Sequence, residues 1–124
     1  MKEIGKVHLN YVIIVAKEFE AEGDRIFASH AKWMGRTHHQ HGDKALLRYS
    51  VSKSAELSNP MDRSSDPTGN VIFVLDEVYE TDAGVTVHFQ QAQSSWEDFG
   101  ALISWIGKNS IIGYPAGRIF NALW

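Results

Sequence analysis

His88 is the residue of this chain whose type and setting best suit chemistry. It sits in Thr81-Asp82-Ala83-Gly84-Val85-Thr86-Val87-His88-Phe89, where Thr81 or Asp82 can cap a short helix. His88 follows Val85 by three positions and adjoins Phe89, so it falls on the apolar stripe of that helix. A neutral imidazole there can accept a proton from a substrate, or hydrogen-bond to it, because its unperturbed pKa is about 6.5. The plainer reading of the same residue is a core histidine bonded to a strand backbone or to Glu77.

Four more positions extend this set along the strands. Glu77 and Tyr79 alternate with Phe73 and Leu75, so all four share one strand face. A carboxylate in such apolar company needs a partner, for which His88 and Arg48 are the candidates. Tyr11 and Tyr49 belong to strands expected at the centre of a sheet, where a hydroxyl can donate to a ligand. His30 lies one turn beyond Ile26 and Phe27 and one turn before Trp33 and Met34, on the apolar face of the first helix. His30 and His88 would then approach a shared cavity from opposite helices. The candidate site is His88 as the catalytic residue, with Tyr11, His30, Tyr49, Glu77 and Tyr79 binding the ligand.

A second cluster, Thr37-His38-His39-Gln40-His41-Gly42-Asp43, is rich in imidazole. His39 and His41 share a side if this stretch is extended, with Asp43 next in the series. Such nitrogen and oxygen donors suit zinc, nickel or copper. No distant fourth ligand is evident, so metal binding through the His38–His41 loop stands as an alternative and no metal ligand enters the candidate site. No cofactor is implied. The chain has no Gly-rich phosphate loop, no Ser-centred nucleophile elbow and no dinucleotide fingerprint.

The elements that must position these groups can be read from periodicity. Val7–Ala16, Lys44–Lys53, Asn70–Glu80 and Arg118–Trp124 read as strands. Glu18–Met34 and Ser95–Ile106 read as helices, the first ending on a left-handed Gly35 cap. The polar stretch from Leu57 to Asn70 reads as a long loop. One phrase occurs twice: Phe27, five residues, Trp33-Met34-Gly35-Arg36, and Phe99, five residues, Trp105-Ile106-Gly107-Lys108. A helix-ending unit used twice is what a split β-α-β design requires. The expectation is an α+β, single ferredoxin-like domain spanning residues 1–124, with order β-α-β-β-α-β. Its four-stranded antiparallel sheet would carry the helices on one face. In the first and third strands both parities are apolar: Leu9 and Ile13 against Val12 and Ile14, Phe73 against Ile72 and Val74. Helices cover one face, so a homodimer through sheet faces is expected to cover the other.

The stretch Val74-Leu-Asp-Glu77-Val-Tyr79-Glu-Thr-Asp-Ala-Gly84-Val-Thr-Val-His88-Phe89 resembles the dimeric α/β-barrel proteins of the antibiotic biosynthesis monooxygenase family. Their pattern is a strand ending in Glu-x-Tyr, a short acidic turn and a helix carrying His. The Leu47-Arg48-Tyr49-Ser50 strand and the Asp66-Pro67 loop sit at corresponding places. The resemblance implies a ferredoxin-like monomer whose sheet packs on a second copy to close a dimeric barrel. It also implies binding of a small aromatic or hydrophobic metabolite. Some members oxygenate aromatic polyketides or related phenolic compounds without a cofactor, some degrade haem, and many have no known activity.

Bulk properties narrow the alternatives. The net charge of −3, with no basic run, gives no footprint for nucleic acid. No apolar stretch reaches the roughly 18–20 residues of a membrane span. Cysteine is absent, which excludes disulfides and thiolate chemistry. With a start that lacks a signal-peptide core, these features fit a cytoplasmic protein. The expected function is small-molecule binding, which the family resemblance extends to cofactor-independent monooxygenation. The non-enzymatic alternative is a ligand-binding or stress-associated dimer.

Overall fold

The computed structural model describes residues 2–124. Strand β1 (Val7–Ala16) leads through a single 3-10 turn into helix α1 (Glu20–Thr37). Strands β2 (Leu46–Leu57) and β3 (Pro67–Tyr79) form a long hairpin. Helices α2 (Asp82–Ser95) and α3 (Phe99–Gly107) follow, and β4 (Ser110–Arg118) returns to the sheet. All pairings are antiparallel and the strand order is β2-β3-β1-β4. This is an α+β domain in which β3 lies between β1 and β2, as a split β-α-β design calls for.

The odd-numbered residues of β1 and β3 build the core. Val7, Leu9, Ile13 and Val15 on β1 and Val71, Phe73, Leu75 and Tyr79 on β3 are buried beneath Ile26, Phe27, Trp33 and Met34 of α1 and Trp105 of α3. The repeated phrase marks two equivalent anchors, since both Trp33 and Trp105 are almost completely buried. Each indole N–H is satisfied, Trp33 donating to Ser95 Oγ at 3.1 Å and Trp105 to the Phe19 carbonyl at 3.0 Å.

Four boundaries differ from the sequence reading. The last strand is Ser110–Arg118, and the expected Arg118–Trp124 strand is not formed. The β-branched pair Ile111-Ile112 pairs with Ile13 and Val12, and a register shift opposite His8 and Asn10 absorbs the Pro115-Gly117 segment. Gly113 allows this close pairing. Its φ is +142° and a Cβ would lie 2.0 Å from the Asn10 carbonyl oxygen. Helix α1 continues through Gly35 to Thr37, and Gly35 does not take the left-handed cap. The β2–β3 strands extend into the polar stretch, shortening the expected Leu57–Asn70 loop to residues 58–66. Ser95 ends α2 instead of opening α3, because its hydroxyl is engaged by Gln91 and Trp33.

The outer sheet face is divided. Val12 lies between Val74 and Ile112, and Ile14 opposite Ile72, forming an apolar stripe across β3, β1 and β4. The other end carries His8, Asn10, Arg48 and Asp76, bonded to one another.

Candidate functional site

Thr81 is the N-cap of α2, its Oγ1 accepting from the Ala83 N–H at 3.1 Å, as the sequence suggests. The helix is longer than expected, running fourteen residues, and its inward side presents Gly84, Val85, His88 and Ala92. Gly84 brings α2 against the sheet end. A Cβ there would lie 2.7 Å from the Tyr79 ring and 2.9 Å from the Lys44 carbonyl. One turn later His88 is therefore pressed over Glu77 and Tyr79.

Between helices and sheet lies a cavity of about 370 Å³. Its wall is almost wholly apolar, with Leu9, Ile13 and Leu75 from the sheet, Trp96 from the α2–α3 turn, and Leu102 and Ile106 from α3. His30 and His88 enter it from α1 and α2, as the helical spacing predicts, with ring centroids 5.8 Å apart. Tyr11 lines the cavity as well, half-buried. Tyr49 and Tyr79 stand behind it and hold other groups.

Each polar residue of this end has a supporting partner. His30 Nδ1 bonds Tyr49 Oη at 2.9 Å, and His88 Nδ1 bonds His38 Nε2 at 2.8 Å. Tyr79 Oη donates to Glu77 Oε1 at 2.5 Å. Glu77 is fully buried and its Oε2 has no partner among the described residues. The expected partners of Glu77 are only partly those found. His88 Nε2 is 3.9 Å from Oε1, whereas Arg48 lies on the opposite sheet face with Asp76 and Glu3.

The electrostatics follow from burial. Desolvation pushes His88 down to about 3, and the neighbouring His38 and His30 add to it. His30 and His38 fall to about 4 for the same first reason. Burial raises Glu77 to about 7 against the opposing hydrogen bond from Tyr79. The hydroxyls of Tyr11, Tyr49 and Tyr79 are raised, burial being the main cause, and all three stay protonated. The site therefore offers neutral imidazoles and phenols, which exchange hydrogen bonds well and take protons poorly.

The sequence pattern places His88, His30, Tyr11 and Tyr49 around one region but passes over two contributors. His38 belongs by sequence to the histidine loop, yet its side chain turns inward to His88, while His39 and His41 are exposed. Residues 40–44 form bends and a turn, not the extended segment that would align them. Trp96 reads in the sequence only as part of a helix start. It stacks on Trp33, with centroids 5.8 Å apart, and closes the cavity beside His30. Its bulk, next to the acidic Glu97-Asp98 turn, is the signal that marks it.

No family model and no curated protein matches this chain. Among the described residues, His30, Glu77 and His88 also bring one ligating atom each within 4.8 Å of one another. No helix among the described residues is long and apolar enough to cross a membrane.

Proposed function

We propose that this protein binds a small, largely apolar metabolite with one polar group, in the cavity between the helices and the sheet. The observation that carries this reading is the cavity itself. It has room for a compact aromatic molecule, an aliphatic and aromatic wall, and polar atoms gathered at the His30–His88 end. A ligand would bury its ring against Leu9, Leu75 and Trp96 and exchange a hydrogen bond with His88 or His30. With imidazoles held neutral, His88 acts as a hydrogen-bond partner more readily than as a strong base. The resemblance to the antibiotic biosynthesis monooxygenase family points to phenolic compounds and extends the reading to their oxygenation.

The test uses 1-naphthol as probe, followed by tryptophan fluorescence, since Trp96 lines the cavity. Wild-type protein is expected to bind it, and His88→Ala to bind it about tenfold more weakly, the worth of one hydrogen bond of about 1.4 kcal/mol. The variant should keep its circular dichroism spectrum. If it unfolds, or binds naphthol as wild type does, His88 is a structural residue and its role in this reading is lost.

The same resemblance, together with the apolar stripe of Val12, Ile14, Ile72, Val74 and Ile112, supports a homodimer through the outer sheet faces. Ile112 is 71 % exposed in the single chain, an unfavourable place for an isoleucine unless another surface covers it.

A further inference from the structure

The polar end of the cavity holds a donor set of which a ligand's one hydrogen bond would use a single member. In each of three buried residues one atom is fixed by a neighbour and the other is free. Tyr49 holds His30 by Nδ1, His38 holds His88 by Nδ1, and Tyr79 holds Glu77 by Oε1. Nε2 of both rings has no hydrogen-bond partner among the described residues, and Glu77 Oε2 is buried without one. An unpaired carboxylate oxygen in an apolar interior costs free energy, and a cation bound there removes that cost. We propose that His30, Glu77 and His88 form a binding site for a first-row divalent transition cation, through the two Nε2 atoms and the Glu77 carboxylate.

Two imidazoles and one carboxylate suit zinc, iron, cobalt or manganese, and differ from the all-oxygen sets that calcium and magnesium prefer. The partners Tyr49, His38 and Tyr79 are placed as outer supports that fix ring orientation and tautomer. Donors around such a cation lie roughly 3.0–3.4 Å apart. His88 Nε2 is 3.9 Å from Glu77 Oε1, and one ligating atom of each of the three residues lies within 4.8 Å of the others, so binding asks for closure by an ångström or so. His30 and His88 both line the cavity, so the open coordination positions would face its interior. The proposal rests on the geometry of these three residues and is independent of which organic molecule the cavity takes.

The full chain, stripped with a chelator and dialysed, is titrated with Co(II) and followed by visible absorption and calorimetry. One equivalent per chain is expected, with d–d bands and a raised Tm. Glu77→Gln removes a buried charge while leaving an oxygen for Tyr79, so it should fold. It is expected to lower Co(II) affinity at least tenfold, and His30→Gln likewise. The double variant His39→Ala/His41→Ala should bind as wild type does. Binding well below one equivalent, binding indifferent to Glu77→Gln, or binding lost in the loop variant would each overturn the site. Ile111→Trp separates this from ligand binding. Ile111 pairs with Ile13, four residues along β1 from the Leu9–Glu77 pair, hence about 13 Å from the site. It should block naphthol and spare Co(II). In the wild-type chain, naphthol binding without Co(II) binding refutes the cation site alone, and Co(II) binding without naphthol binding refutes the ligand reading alone.

Discussion

At the scale of single residues the chemistry of this protein is set by burial against support. Glu77 and Asp76 are adjacent on β3 and have opposite fates because their side chains leave on opposite faces. Glu77 points into the core and is pushed up to about 7. For Asp76, partial burial alone would raise the pKa, but hydrogen bonds from His8 and Asn10 and the nearby Arg48 outweigh it and hold it below the ordinary value. A carboxylate depressed in the folded state contributes stability that is present above its unfolded pKa, about 3.9, and is lost as pH falls through the folded value. Denaturant unfolding should therefore lose stability below about pH 4, and Asp76→Asn should be less stable at pH 7 with a flatter acid limb. An unchanged acid limb in the variant would remove Asp76 from this role.

At the scale of elements, α2 positions the site and Gly84 sets its distance from the sheet. Alanine at an ordinary helix position gains about 1 kcal/mol over glycine. Here its Cβ meets the Lys44 carbonyl, which is backbone and cannot swing aside, and the Tyr79 ring. Overpacking costs about 1–3 kcal/mol, so Gly84→Ala should lower stability by about 1 kcal/mol on balance. It should also weaken naphthol binding, since His88 moves with its helix. A urea midpoint above that of wild type would contradict this packing account. The cap at Thr81 is legible in the sequence because capping is local. The end of α1 is not. Gly35 looks like a stop, yet Met34 continues the helix by accepting from the His38 N–H, which swings His38 toward His88.

For the whole molecule, the proposed dimer rests on the outer sheet face. Its apolar stripe crosses three strands in register, which a solvated antiparallel sheet would not need. Light scattering should give about twice 13.9 kDa for the wild type and the monomer mass for Ile112→Lys. A wild-type mass near 13.9 kDa would remove the dimer.

Periodicity and turn chemistry in the sequence determined the strand-rich α+β class, the order of the elements, the two tryptophan anchors and the inward aim of His30 and His88. These rest on alternation and on helical spacing, which a chain carries locally. The place of β4 is not encoded in this way. It depends on the partner β1, and a bulge tolerates the Pro115-Gly117 segment only in that pairing. The pairing of His30 with Tyr49 and of His88 with His38, and the closure of the cavity by Trp96, were decided by tertiary structure alone. They join residues up to 67 positions apart, as Trp96 and Ser29 are, and no local pattern encodes which side chains meet across a core.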